Sequence, residues 1–241
     1  MKLEVCANSA TSALVAAEAG AHRVELCAAL ELGGLTPSHA TLEQMAEQLR
    51  IPARVLIRPR PGHFTYSESE LRTMVRDIEL VRSLGFEGVV IGALKHDLTL
   101  DKQSLSKMIE AAGSMALTFH RAMDCVLHPE KAIEELIGLG FDTILSSGQA
   151  QRAVDGLDTL KGWQQEFGKR IDLMPGAGVA PEQIAKFQKA GFGWVHASAS
   201  AKNDNPIPNK RSSMNTIGIS DTFYSTQSDQ VSALLVAMKV H

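Results

Sequence analysis

Excess charge of one sign, cysteine, aromatic residues and long apolar runs are all scarce in this 241-residue chain. Lys and Arg number 24 against 27 Asp and Glu, for a net charge of −3, so no basic face for nucleic acid is expected. No apolar run approaches the roughly 20 residues of a membrane span, and no membrane partner is expected. Three cysteines are too few, and odd in number, for a disulfide framework; they suit a reducing compartment. The chain enters a strand pattern at once, without the basic and apolar regions of a signal peptide, so the expected location is the cytoplasm. No Gly/Ser- or Pro-rich linker divides the sequence, which reads as a single domain over 1–241. No Gly-x-Gly-x-x-Gly follows the first strand, where an open doubly wound dinucleotide fold would carry it, which weighs against that alternative to a closed barrel; no organic cofactor is expected.

What is present is a recurring helix, glycine, strand pattern. Gly20, Gly85, Gly140 and Gly191 each close a helical run, and each is followed by a short apolar stretch: Val24–Leu26, Val89–Ile91, Ile144–Ser146 and Val195–Ala197. Between them lie four more strand candidates, Leu3–Cys6, Arg54–Arg58, Ala116–His120 and Ile171–Met174. Eight strands alternating evenly with helices predict an α/β fold with a parallel sheet closed into a (β/α)8 TIM barrel, and about 250 residues is the usual size. Ser9 or Ser12 caps the first helix, and Ser67 with Glu70 stands at capping-box spacing. The polar stretch at about 202–228 has no clear period and reads as a long loop, followed by a closing helix over about 229–240.

Barrels of this kind work at the C-terminal ends of their strands, and that is where the polar residues concentrate. Period two puts Glu4 with Cys6, Arg23 with Glu25 and Cys27, Arg58 with Arg60, Thr118 with His120, and Trp194 with His196 and Ser198 on shared faces. The opposite faces, such as Leu3 with Val5 and Val24 with Leu26, are apolar and should meet the helices. Burying Glu4, Arg23 and Glu25 costs several kcal/mol per ion unless they pair, so a structural ion network is one reading. The other is a site: Glu25, Arg58, His120 and His196 are the candidate catalytic residues of an acid/base centre around an anion. Arg60, Arg121, Gly176, Gly178 and Ser198 are further anion-binding candidates; the glycines read either as a phosphate cradle or as tight turns. Cys6 and Cys27 fall on adjacent strands with inward faces. Two thiolates brought together favour Cu(I), whereas buried cysteine also serves as a plain small hydrophobe. Cys125 lies in a loop, as an exposed thiol or a third ligand.

Taken together, Glu4-Val5-Cys6, Arg23-Val24-Glu25-Leu26-Cys27, Gly33-Gly34-Leu35-Thr36-Pro37-Ser38, Ile57-Arg58-Pro59-Arg60, Thr118-Phe119-His120-Arg121-Ala122-Met123-Asp124, Ser146-Ser147-Gly148-Gln149, Gly176-Ala177-Gly178-Val179 and Val195-His196-Ala197-Ser198 resemble the CutC family of copper homeostasis proteins. The resemblance runs from about Leu3 to Ser200. It implies a TIM barrel, a cytoplasmic role in copper tolerance or trafficking, and Cys6 and Cys27 as Cu(I) ligands. Cys125-Val126-Leu127-His128-Pro129 departs from the family pattern, in which a cysteine often comes one step later and an Asn precedes the proline. The tail from Lys202 matches only loosely. Two main readings go forward: a copper-homeostasis protein, and a barrel enzyme acting on a small anionic or phosphorylated metabolite; whether the chain is an enzyme stays open. A third is a scaffold or interaction protein. The expected partners are a copper ion or a small anionic ligand; a homo-oligomer is left open, since the Gly33–Ser38 loop and the tail beyond Ser200 read either as lids or as subunit contacts.

Overall fold

The computed structural model describes residues 1–203 and 223–239. Eight short strands form one parallel sheet: β1 (Lys2–Ala7), β2 (Arg23–Leu26), β3 (Ala53–Leu56), β4 (Gly88–Ile91), β5 (Ala116–Phe119), β6 (Thr143–Ser146), β7 (Asp172–Pro175) and β8 (Trp194–Ala197). Their order is β7-β6-β5-β4-β3-β2-β1-β8. The β7 and β8 edges adjoin at the seam, which makes the expected TIM barrel. The helices are α1 (Ala10–Glu18), α2 (His39–Gln48), α3 (Glu68–Ser83), α4 (Lys102–Ala112), α5 (Pro129–Gly138), α6 (Leu157–Phe167), α7 (Ile184–Lys189) and α8 (Ser228–Lys239). No described helix is long and apolar enough to cross a membrane.

Local sequence explains most of these boundaries. Ser9 caps α1 by accepting from the Ser12 N–H, and the Ser67–Glu70 capping box opens α3 with both bonds made. The four glycines of the repeat adopt positive φ, between +80° and +96°, where an L side chain would be strained. Helix α6 starts later than the expected Arg152. The backbone before it bonds to neighbouring loops instead, with the Ala153 N–H donating to Ala177 O at 2.9 Å. Similarly, the expected helix from Pro181 opens with a 3-10 turn over Pro181–Gln183. The stretch expected as a loop over 202–228 begins and ends in structure. β9 (Ser200–Asn203) and β10 (Phe223–Thr226) pair antiparallel, and Thr226 N–H donates to Ser12 Oγ on α1. The hairpin was not legible because its two strands are far apart in sequence; residues 204–222, read as lid or subunit contact, lie outside the described residues.

The sheet has two faces of opposite character. Outward, Leu3, Val5, Val24, Leu26, Val55 and Ile57 are fully or almost fully buried against the helices. Each such side chain contributes roughly 1.5–3 kcal/mol by leaving water. Inward, the ladder sets Glu4 beside Arg23 and His196, and Cys6 beside Glu25. Paired residues in a parallel ladder share a face, so the polar alternation read from the sequence points into the barrel.

Candidate functional site

The interior divides by height. At the N-terminal ends of the strands the charges are paired. Arg23 Nε donates to Glu4 Oε2 at 2.5 Å, and its guanidinium lies over the Trp194 ring at 4.1 Å. Glu4 Oε1 is 2.8 Å from His196 Nδ1. Arg54 Nη1 donates to Thr118 Oγ1 (2.6 Å) and Thr143 Oγ1 (3.1 Å) and sits 2.8 Å from Asp142 Oδ1, while Nη2 reaches Glu87 at 3.3 Å. Burial opposes ionisation of Glu4, but the His196 hydrogen bond and the Arg23 charge overcome it and hold the carboxyl at about 2. This is the ion network foreseen for Glu4 and Arg23. Arg54 and Glu87 were missed in the sequence reading. Counting back by twos from Arg58 through Leu56 would have placed Arg54 on the inward face; Glu87 precedes β4 and carried no such signal.

Toward the C-terminal ends, the second rung centres on Cys6. Its Sγ donates to Glu25 Oε1 at 3.3 Å and lies 3.5 Å from Cys27 Sγ. Both thiols are free and buried, packed with Leu56 and Val90. The hydrogen bond with Cys27, together with burial and the neighbouring carboxylate, holds the Cys6 thiol well above the usual range. His196, tied through Nδ1 to Glu4, completes a group in which ligating atoms of Cys6, Glu25 and His196 lie within 4.8 Å of one another. Its own burial lowers the His196 pKa, but Glu25 and Glu4 on either side outweigh that and raise it. Burial raises the Glu25 carboxyl in turn.

Above this rung lies a cavity of about 270 Å³. Cys6, Glu25, Arg58, His120 and His196 all line it, with Leu30, Phe64 and Gly34 as part of its apolar and backbone wall. Arg58, expected to hold an anion, uses its terminal nitrogens on the loops of the mouth: Nη1 donates to Leu32 O (3.0 Å) and Gly34 O (2.9 Å), and Nη2 to Gly62 O (2.7 Å). The Gly33–Ser38 loop is therefore pinned over the barrel mouth. His120 Nδ1 accepts from the Ala122 N–H at 3.1 Å, which leaves the ring proton on Nε2. Burial and the Arg58 charge keep this imidazole neutral, with a pKa near 3. Gly92 beneath it has no room for a Cβ, which would run into the His120 ring.

The remaining candidates divide: Arg121, Gly178 and Ser198 line the cavity, whereas Arg60 and Gly176 do not. Arg60 is the clear correction: it does not line the cavity. Its Nε pairs with Glu70, and its other nitrogens donate to Pro61 O, His63 O and Thr65 O. The turn made by Pro59 and Pro61 ends the strand alternation that had placed it beside Arg58. Arg121 stands at the rim, 2.8 Å from Asp124 and donating to Ser147 Oγ. Gly178, with φ +65°, and Ser198 line the cavity. Gly176 lies beneath it, where a Cβ would strike Leu145. Cys125 is exposed on the 3-10 turn Arg121–Cys125 and contributes nothing to the cavity wall.

Known proteins are similar to this chain in sequence and in fold. The model of the CutC family matches residues 1–201. A family protein CutC of Xanthomonas campestris pv. campestris (strain B100) is 44% identical over 202 residues, 84% of each chain. The corresponding protein of Xanthomonas axonopodis pv. citri (strain 306) is 45% identical over 200 residues, 83% of each. Among solved structures, a CutC protein of Streptococcus agalactiae, described as a candidate copper homeostasis protein, superposes with a TM-score of 0.78 at 30% identity, over 82% of this chain and 98% of its own. By sequence, by the eight-stranded barrel and by this structural match, the chain belongs to the CutC family.

Proposed function

We propose that this protein binds Cu(I) through the thiolates of Cys6 and Cys27 and serves in copper handling in the cytoplasm. The observation that carries this reading is the 3.5 Å approach of the two sulfurs, with Cys6 on the wall of a cavity open to the barrel mouth. Soft sulfur donors select Cu(I) over the harder divalent ions. With metal–sulfur bonds of about 2.3 Å, a bound ion needs the sulfurs roughly 4–4.6 Å apart. The pair therefore opens modestly on binding. Leu56 and Val90 beside it are apolar, which favours a desolvated, low-coordinate soft ion. A reducing cytoplasm keeps the two cysteines available as thiols.

Binding releases thiol protons. Because Cys6 holds its proton strongly, apparent affinity rises with pH. Glu25, hydrogen-bonded to Cys6, is the group placed to take up that proton. The test is an anaerobic Cu(I) titration against a competing chelator, on the parent protein and on Cys6→Ala with Cys27→Ala. Tight binding near one equivalent, lost in the double variant, is expected. Weak binding that survives both substitutions would remove copper from these residues.

A further inference from the structure

The cavity above the thiols contains groups that a two-thiolate copper site does not use. Arg58 is 5% exposed, and it is the buried Arg without a carboxylate partner among the described residues; Arg23 has Glu4, and Arg54 has Asp142 and Glu87. Its terminal nitrogens donate to Leu32 O, Gly34 O and Gly62 O and the Tyr66 hydroxyl lies beside it, but no carboxylate among the described residues balances its charge, and a buried cation without one costs several kcal/mol. Three buried polar atoms on this wall also have no hydrogen-bond partner: Arg58 Nε, His120 Nε2 and Glu25 Oε2. Native interiors leave few such atoms. Their chemical sense is fixed. Arg58 Nε is a donor. His120 Nε2 is a donor, because Nδ1 accepts from Ala122. Glu25 offers one oxygen to Cys6 and leaves the other free.

We propose that this cavity binds a small hydroxycarboxylate, with its carboxylate on Arg58 and His120 and its hydroxyl on Glu25. Two donors facing one anionic group and one carboxyl oxygen facing a hydroxyl would satisfy all three orphaned atoms together. A hydroxyl suits Glu25 in either protonation state, because it both donates and accepts. Phe64 aligns the two donors: its ring centre lies 4.7 Å from that of His120 and 5.1 Å from the Arg58 guanidinium. Size agrees. The 270 Å³ volume lies just below the roughly 300 Å³ at which pockets for drug-sized ligands start, which suits a smaller molecule. Charge also agrees. One unpaired cation beside a carboxyl matches a monoanion, whereas a phosphate ester would bring a second negative charge toward Glu25.

The proposal does not rest on copper binding. It is tested by calorimetric titration of the metal-free full-length protein with glycerate, and with propionate as the same acid lacking hydroxyls. Saturable glycerate binding, at least about tenfold tighter than propionate, is expected. His120→Phe, which keeps a ring against Phe64, should weaken glycerate by about tenfold. Glu25→Leu should bring glycerate down to the level of propionate. Melting curves check that each variant is folded; if a variant is not, the comparison of the two acids on the parent protein still decides. No heat from glycerate at tens of millimolar, equal affinity for the two acids, or glycerate binding that persists unchanged in folded His120→Phe and Glu25→Leu overturns the proposal.

Discussion

The two ends of the barrel interior contain the same kinds of residue in opposite states. At the N-terminal end, Glu4, Arg23, Arg54, Glu87 and Asp142 meet one another at salt-bridge distance. At the C-terminal end, Glu25, Arg58 and His120 share a cavity, and each retains a buried atom with no partner. Both regions are costly to desolvate. In the first, the cost is offset within the chain, as a structural network requires. In the second, it is left open on the side where a barrel of this kind binds its ligands. Residue type alone does not separate scaffold from site; pairing does.

The sharpest way to break this comparison is to remove one ion from each end. Arg23→Met leaves Glu4, fully buried, with His196 as its remaining charged partner within salt-bridge distance. A loss of about 3–5 kcal/mol in urea unfolding is expected. A loss below roughly 1 kcal/mol would show that the lower network is not structural.

Acid should come next in size. Glu4 has a folded pKa of about 2 against an ordinary 4.5. Its contribution is fully present above pH 4.5 and is lost as pH falls toward 2, on the order of a few kcal/mol. His120 titrates earlier, because its pKa falls from 6.5 to about 3 in the fold. Its neutral form is favoured by folding, so its contribution is present above pH 6.5 and declines below that. His120→Phe should therefore flatten the stability profile between pH 6.5 and 4.5 and make the loss below 4.5 less steep down to about pH 3, with the Glu4 contribution still lost between 4.5 and 2. An unchanged profile in both windows would contradict the assignment.

Gly92→Ala tests the upper end by packing. The new Cβ meets the His120 ring, and a cost of about 1–3 kcal/mol is expected as the ring is displaced. Equilibrium unfolding gives the magnitude, and the chemical shifts of the His120 ring show whether it moved.

The smallest effect is expected from Glu25→Leu. An underpartnered buried carboxyl exchanged for an apolar side chain of similar volume should change stability by less than about 1 kcal/mol, in either direction. If Glu25→Leu costs as much as Arg23→Met, the two ends do not differ and the cavity residues belong to the same framework.

Much of this was legible in the sequence because it depends on local rules. The helix, glycine, strand repeat survives intact, since a positive-φ stop needs only the glycine itself. The inward polar face of Glu4, Cys6, Arg23 and Glu25 follows from a period of two. Arg60 shows where that rule ends: past the proline turn its guanidinium is satisfied by Glu70 and three carbonyls. Arg54, on the inward face of a strand that the sequence did mark, was passed over for the charged residues nearer its end.

By itself, the sequence determined the barrel, its eight strands and the set of polar residues that enter it, because periodicity and helix stops are properties of neighbouring residues. Only the tertiary structure decided which of those charges cancel. Arg54 meets Glu87 and Asp142, whereas Arg58 meets carbonyls and no carboxylate. These partners come from distant strands and loops, and pairing depends on three-dimensional distance, which the order of residues along the chain does not encode locally.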